Sequence, residues 1–122
     1  MKSKHQSIGY FWEDIAKHYL MKQGLKFIHH QYQTKCGEID LIMQDKEYVV
    51  FVEVRYRENA QFGQPEETIH QYKQRRLIKA AMFYYQRHAW MHKLPFRFDV
   101  VGILGSKLNH KLTWIPNAFG VK

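Results

Sequence analysis

Glu38, Asp40 and Glu53 sit among Ile, Leu, Phe and Val in two short segments, Gly37-Glu38-Ile39-Asp40-Leu41-Ile42 and Phe51-Val52-Glu53-Val54-Arg55. An ionised carboxylate in an otherwise apolar strand is costly to desolvate unless something cationic meets it. A bound metal ion is the simplest partner for such a group of oxygens.

The elements that must position these acids are legible in the periodicity. Ser7 can cap a helix whose apolar residues Ile8, Phe11, Trp12, Ile15, Ala16, Tyr19 and Leu20 recur at three- and four-residue steps, and Gly24 suits its terminus. Residues 26–33 read as a first strand, 38–43 as a second and 48–57 as a third. After a loop with Gly63 and Pro65, the negative charges of Glu66 and Glu67, with Thr68, suit the first turn of a second helix running to about His88. Residues 96–104 alternate as a further strand, and 111–115 read as a short edge strand before Pro116. The order is α-β-β-β-α-β with one more strand, an α/β arrangement.

Strand parity sharpens the picture. A hairpin turning within Gln44-Asp45-Lys46-Glu47 on an even loop of two or four residues puts Asp40 opposite Phe51 and Glu38 opposite Glu53. Glu38, Asp40, Glu53, Arg55 and Arg57 then share one face, and Ile39, Leu41, Met43, Val50, Val52 and Val54 the other. Asp40 and Glu53 become diagonal neighbours about 7–8 Å apart at Cα, within reach of one ion. Glu13, at the edge of the first helix's apolar stripe, reads equally as a third acid and as a boundary residue in water. In the second helix the inward stripe of Ile69, Tyr72, Leu77, Ala80, Ala81 and Tyr84 also takes in Lys73 and Arg76. Those two cations either cover the core with their stems and reach water or approach the acids.

At 122 residues, 45% of them hydrophobic, the chain suits one domain spanning 1–122. Nineteen Lys and Arg against eleven Asp and Glu give +8, which favours a polyanionic partner, nucleic acid foremost. The longest apolar run, Tyr48 to Val52, is far short of the ~20 residues of a membrane span, so no membrane association is expected. The polar start and the lone Cys36 suit the reducing cytoplasm.

Asp40, followed after twelve residues by Glu53-Val54-Arg55, resembles the PD-(D/E)XK nuclease signature. With Glu13, Phe62-Gly63, Lys73 and Arg97-Phe98-Asp99-Val100-Val101, nearly the whole chain resembles the YraN family of small predicted endonucleases, which is similar to archaeal Holliday-junction resolvases. The resemblance implies a restriction-endonuclease-like α-β-β-β-α-β core, a mixed sheet flanked by helices, and Mg²⁺- or Mn²⁺-dependent phosphodiester hydrolysis. Asp40, Glu53 and Arg55 would be catalytic, with Glu13, Asp40 and Glu53 as metal ligands. Arg55, Arg57, Lys73 and Arg76 would contact nucleic acid, DNA in preference to RNA. The resolvase likeness also implies a homodimer, because symmetrical cuts need paired sites. One departure stands out: Arg55 occupies the position of the signature lysine, and a guanidinium does not readily give up a proton. Arg55 can still grip a phosphate through paired hydrogen bonds.

Other readings compete. The acids could form an ion-pair lattice with Arg55 and Arg57, leaving a non-catalytic nucleic-acid-binding module on the same fold; the aromatic region 83–90 could instead serve a protein adaptor. Neighbouring His29 and His30 point opposite ways, and His88 and His92 read as surface residues without an accompanying acid. Asp99 reads as an ion-pair or hydrogen-bonding partner.

Overall fold

The structure, a computed structural model, describes residues 4–67 and 69–120, with side chains from residue 10 onward. Thr68 therefore lies outside the described residues. The first helix, α1 (Lys4–Lys22), begins before Ser7, which is an interior residue and not the cap. Of its expected stripe, Trp12, Ala16 and Leu20 are buried one turn apart and Phe11, Ile15 and Tyr19 half-buried, while the Ile8 side chain lies outside the described residues. The helix ends where Gly24 takes φ +102°. There the Leu25 N–H donates to the Leu20 carbonyl at 3.1 Å and the Gly24 N–H to that of Met21 at 3.0 Å. That pair of bonds defines a Schellman motif, which requires the left-handed conformation glycine adopts without steric cost.

Five strands, β1 (Lys26–Thr34), β2 (Gly37–Asp45), β3 (Tyr48–Arg57), β4 (Phe96–Gly105) and β5 (His110–Phe119), lie side by side in chain order. Only β3 and β4 run parallel. A parallel pair needs a crossover, and the second helix, α2 (Gln71–Arg87), supplies it. The helix α1 packs on one face of the sheet, with Trp12, Ala16 and Leu20 against Leu41, Met43, Val50, Val52 and Ile103. On the other face α2 sets Leu77, Ala80, Ala81 and Tyr84 against Ile39, Ile42, Phe51 and Phe98. The mixed sheet flanked by helices is the architecture expected from the sequence.

Several boundaries move. The helix α2 starts at Gln71, so Glu66 and Glu67 precede it: the Glu67 carboxylate accepts the Gln64 N–H at 3.0 Å and closes a turn. Tyr72, expected to face inward, is 66% exposed. The edge strand β5 continues through Pro116, because an edge residue can lack an N–H donor without breaking a ladder. Beyond it Asn117 takes φ 51° beside a register shift opposite Phe98 and Val100.

The β2–β3 hairpin turns at Lys46-Glu47, with Lys46 at φ 56°, and pairs Asp45 with Tyr48 through to Leu41 with Val52. Parity is as expected, but the register is two residues away from the Asp40–Phe51 pairing. Face sharing also breaks at one point, since Ile39 packs beneath α2 while Leu41 and Met43 pack beneath α1.

Asp99 is fully buried and fully partnered. It accepts from Arg97 Nε at 3.0 Å, Trp114 Nε1 at 2.9 Å and the Asn117 N–H at 2.9 Å, while Arg97 also reaches Asp45 at 3.0 Å. This network ties β4 to β5 and to the end of β2, the bonding role expected for Asp99. No helix among the described residues is long and apolar enough to cross a membrane.

Candidate active site

In β3, Val52 and Val54 pack beneath α1, so alternation aims Glu53 at α2. Glu53 is only 5% exposed, and its Oε2 lies 2.7 Å from Nζ of Lys73 in the first turn of that helix. The Lys73 side chain remains more than half exposed. Its head is thus committed to the acid while it still reaches solvent, and the reading in which it merely covers the core does not describe it.

The strand β2 brings two more carboxylates to the same place. Its ladder with β3 stops at Leu41–Val52. One step further the register would face Asp40 with Glu53, and a second step would put Ile39 opposite Val54. At that point the Val54 N–H donates to Asp40 Oδ2 at 2.9 Å. The two strands fork, with a carboxylate bridging the fork. Glu38, Asp40 and Glu53 line a cavity of about 250 Å³ that Tyr72, Lys73 and Arg76 complete from α2.

Carboxylates so crowded resist ionising together. Burial, then the charge of Glu53, pushes Asp40 well above the ordinary carboxylate range. Glu38 is raised by burial and by Glu53, with Lys73 opposing. Glu13 is pushed up to about 7, chiefly by burial, against the lowering effect of a hydrogen bond from Gln31 and with added repulsion from Glu38 and Glu53. Glu13 lines a neighbouring depression on the α1 side, beside Lys17, His30 and Leu41. It therefore feels the other acids across the fork without lining their cavity.

The arginines of β3 go elsewhere. Arg55 donates to the Glu67 carbonyl at 3.0 Å and Arg57 to the Phe62 carbonyl at 3.3 Å, so both tether the loop after β3 and neither pairs with the acids. Arg76 lines the acidic cavity and donates from Nε to the Cys36 carbonyl at 2.8 Å, clamping the β1–β2 turn to α2. Two contributors carried no sequence signal. Gln31 faces Glu13 from a left-handed conformation, φ 55°, that a strand-like sequence does not announce, and Tyr72 reads as a core residue by spacing alone.

Among the described residues no three carboxylate, imidazole or thiol groups converge tightly enough to cage an ion. Mg²⁺ does not require a cage: it commonly takes one or two carboxylates and leaves its other positions to water and substrate phosphate. Asp40 and Glu53 are hard oxygen donors in a pocket where three carboxylates meet two cations, Lys73 and Arg76, and their chemistry fits such an ion.

Residues 12–103 match the model of the uncharacterised protein family UPF0102. A UPF0102 protein of Coxiella burnetii (strain RSA 331) is 48% identical over 122 residues, covering 100% of this chain and 99% of that protein. One from Vibrio parahaemolyticus is 46% identical over 116 residues, 95% of this chain and 93% of its own. One from Nitrosococcus oceani is 44% identical over 118 residues, 97% of this chain and 95% of its own. Similarity of this extent runs through both acid-bearing strands and the crossover helix, and the chain belongs to the UPF0102 family.

Proposed function

We propose that this protein is a divalent-metal-dependent endonuclease that hydrolyses phosphodiester bonds, in DNA in preference to RNA and in branched or otherwise structured forms. The observation that carries the reading is the arrangement of Asp40, Glu53 and Lys73: two crowded carboxylates and one solvent-reaching ammonium around a single cavity. The likeness to the PD-(D/E)XK signature supports it, as does the net charge of +8.

A bound Mg²⁺ or Mn²⁺ would supply Lewis acidity toward the phosphate and toward an attacking water. Asp40 and Glu53 would hold it. Lys73, already 2.7 Å from Glu53, supplies from α2 the positive charge that the signature places at the position of Arg55. It can donate to a phosphate oxygen as charge develops there. Arg55 and Arg57 hold the loop after β3, which follows directly on the strand that carries Glu53. Glu13 contributes negative potential from the far side of the fork. On branched DNA, symmetrical cutting would pair two copies of the chain.

A second reading has its own support. The lack of a three-ligand cluster among the described residues and the arginine in the lysine position both favour a nucleic-acid-binding module without cleavage. The two are separated by incubating the protein with duplex, single-stranded, flap and four-way DNA and with RNA, in Mg²⁺, Mn²⁺ or chelator. Metal-dependent cutting lost in Asp40→Asn and Glu53→Gln is the expected result. Cutting that survives both substitutions would falsify the site, and binding without cutting selects the module.

A further inference from the structure

The exposed side of α2 carries more than the acidic cavity uses. Tyr72, Arg76, Lys79, Phe83 and Arg87 fall within about 80° of arc at 3.6 residues per turn, two rings and three cations along about 22 Å of helix. Beside this stripe runs the β1–β2 turn, fixed to α2 by the bond from Arg76 to the Cys36 carbonyl. Lys35 of that turn lies 5.6 Å from the Phe83 ring centre, and Arg87 lies 5.4 Å from the same ring. Arg76 stands over Tyr72 at 5.8 Å. Lys35, Phe83 and Arg87 line a second cavity of about 370 Å³, with Tyr32 at its wall.

Two properties of the stripe point to its occupant. Among the described residues, Lys35, Arg76, Lys79 and Arg87 have no carboxylate within ion-pair distance, and of the four only Arg76 shares a cavity with the acids of the carboxylate site. Each ring also has cations beside it, Arg76 at Tyr72 and both Lys35 and Arg87 at Phe83. A duplex presents phosphates but keeps its base faces stacked inside; an unpaired strand presents both phosphates and open base faces, the combination that rings interleaved with cations accept. The stripe begins at the acidic cavity, where Tyr72 and Arg76 line the wall, and ends at the second cavity.

We infer that the α2 stripe and the β1–β2 turn form a track for a single polynucleotide strand leading away from the carboxylate site. Lys35 and Arg87 hold its backbone at the far end, and Phe83 stacks on a base. This deepens the proposed function by naming an unpaired arm as the recognised part of the substrate. It rests on nucleic acid being the partner and is independent of cleavage.

The test measures binding in chelator, where no cutting occurs, by fluorescence anisotropy of a labelled single-stranded deoxythymidine oligomer and of an abasic strand of equal length. Phe83→Leu keeps apolar packing but removes the ring face, and Arg87→Ala removes one cation from the last turn of α2. Phe83→Leu should weaken binding of the base-bearing strand about fivefold or more and leave the abasic strand unchanged. Arg87→Ala should weaken both strands alike. Circular-dichroism melting verifies that each variant is folded. Unchanged affinity in both folded variants, or equal loss on both strands for Phe83→Leu, overturns the track. Normal cutting by a protein with either of those results would reject the track alone, whereas track binding by a protein that never cuts would reject only the nuclease reading.

Discussion

The Lys73 ammonium lies 2.7 Å from Glu53 Oε2, joining the first turn of the crossover helix to the one acid of β3. Glu53 is buried and Lys73 is not, so the cation can reorient toward an incoming phosphate at little desolvation cost of its own. If Lys73 supplies the charge that Arg55 does not, Lys73→Ala should lower metal-dependent cleavage by about 10²–10³. Arg55→Ala should cost far less, because Arg55 is engaged with the loop carbonyl of Glu67. Single-turnover rates at saturating metal distinguish the two; a larger loss in Arg55→Ala would return the active-site role to the arginine.

The crowded acids give stability a definite pH dependence. Glu13 rises from 4.5 to about 7 on folding, and Asp40 and Glu38 also rise. The folded chain therefore binds more protons than the unfolded one across that interval, and stability contributed by the protonated acids falls as pH climbs from about 4.5 to about 7. Without divalent ions the melting temperature should decline over that window. Glu13→Gln should flatten the decline, and Mg²⁺ should raise the melting temperature more at pH 8 than at pH 5. Calorimetric scans at several pH values, with and without Mg²⁺, read all of these effects.

Asp99 has the opposite character, since its oxygens are satisfied by Arg97, Trp114 and Asn117 within the protein. Asp99→Ala would leave the Arg97 guanidinium short of a buried partner and should cost about 3–5 kcal/mol. Urea unfolding measures the loss.

At Gly102 on β4, an added Cβ would come within 2.7 Å of the Glu66 main-chain nitrogen. Gly102→Ala must displace the segment that Arg55 and Arg57 tether, at about 1–3 kcal/mol. Faster proteolysis in residues 58–67 accompanying a lower urea midpoint is the expected outcome; an unchanged midpoint would mean that the loop moves aside freely.

Binding to nucleic acid should be strongly salt-dependent. If six phosphates are engaged, log K against log salt should have a slope of about −5 on duplex DNA. A nearly flat titration would remove nucleic acid as the main partner.

Much of the scaffold was legible because it follows period and composition. The buried row of Trp12, Ala16 and Leu20 and the terminus at Gly24 are local matters, and β3 alternates as expected, with Val50, Val52 and Val54 beneath α1, whereas β2 departs from alternation at Ile39. The even hairpin parity was also legible, and with it the aim of Glu53. The sequence could not reveal which even turn forms. That depends on Lys46 accepting a left-handed conformation, and the resulting two-residue shift replaces Asp40–Phe51 with the fork at Asp40. The start of α2 was misplaced because Glu66 and Glu67, good first-turn residues by charge, find partners in a turn before the helix begins. The destinations of Arg55 and Arg57 were hidden for a similar reason, since loop carbonyls leave no trace in residue type.

The fork between β2 and β3 has a consequence for how the site is reached. In a continuous sheet, side chains above and below are insulated from one another by the hydrogen-bonded layer between them. Here the layer parts at Asp40, whose carboxylate spans the opening to Val54. Glu13 on the α1 side and Lys73 on the α2 side consequently act on the same acids, one by repulsion and one by contact. The fork is a window through the sheet, and a substituent on either helix can tune the charge of a group seated in it.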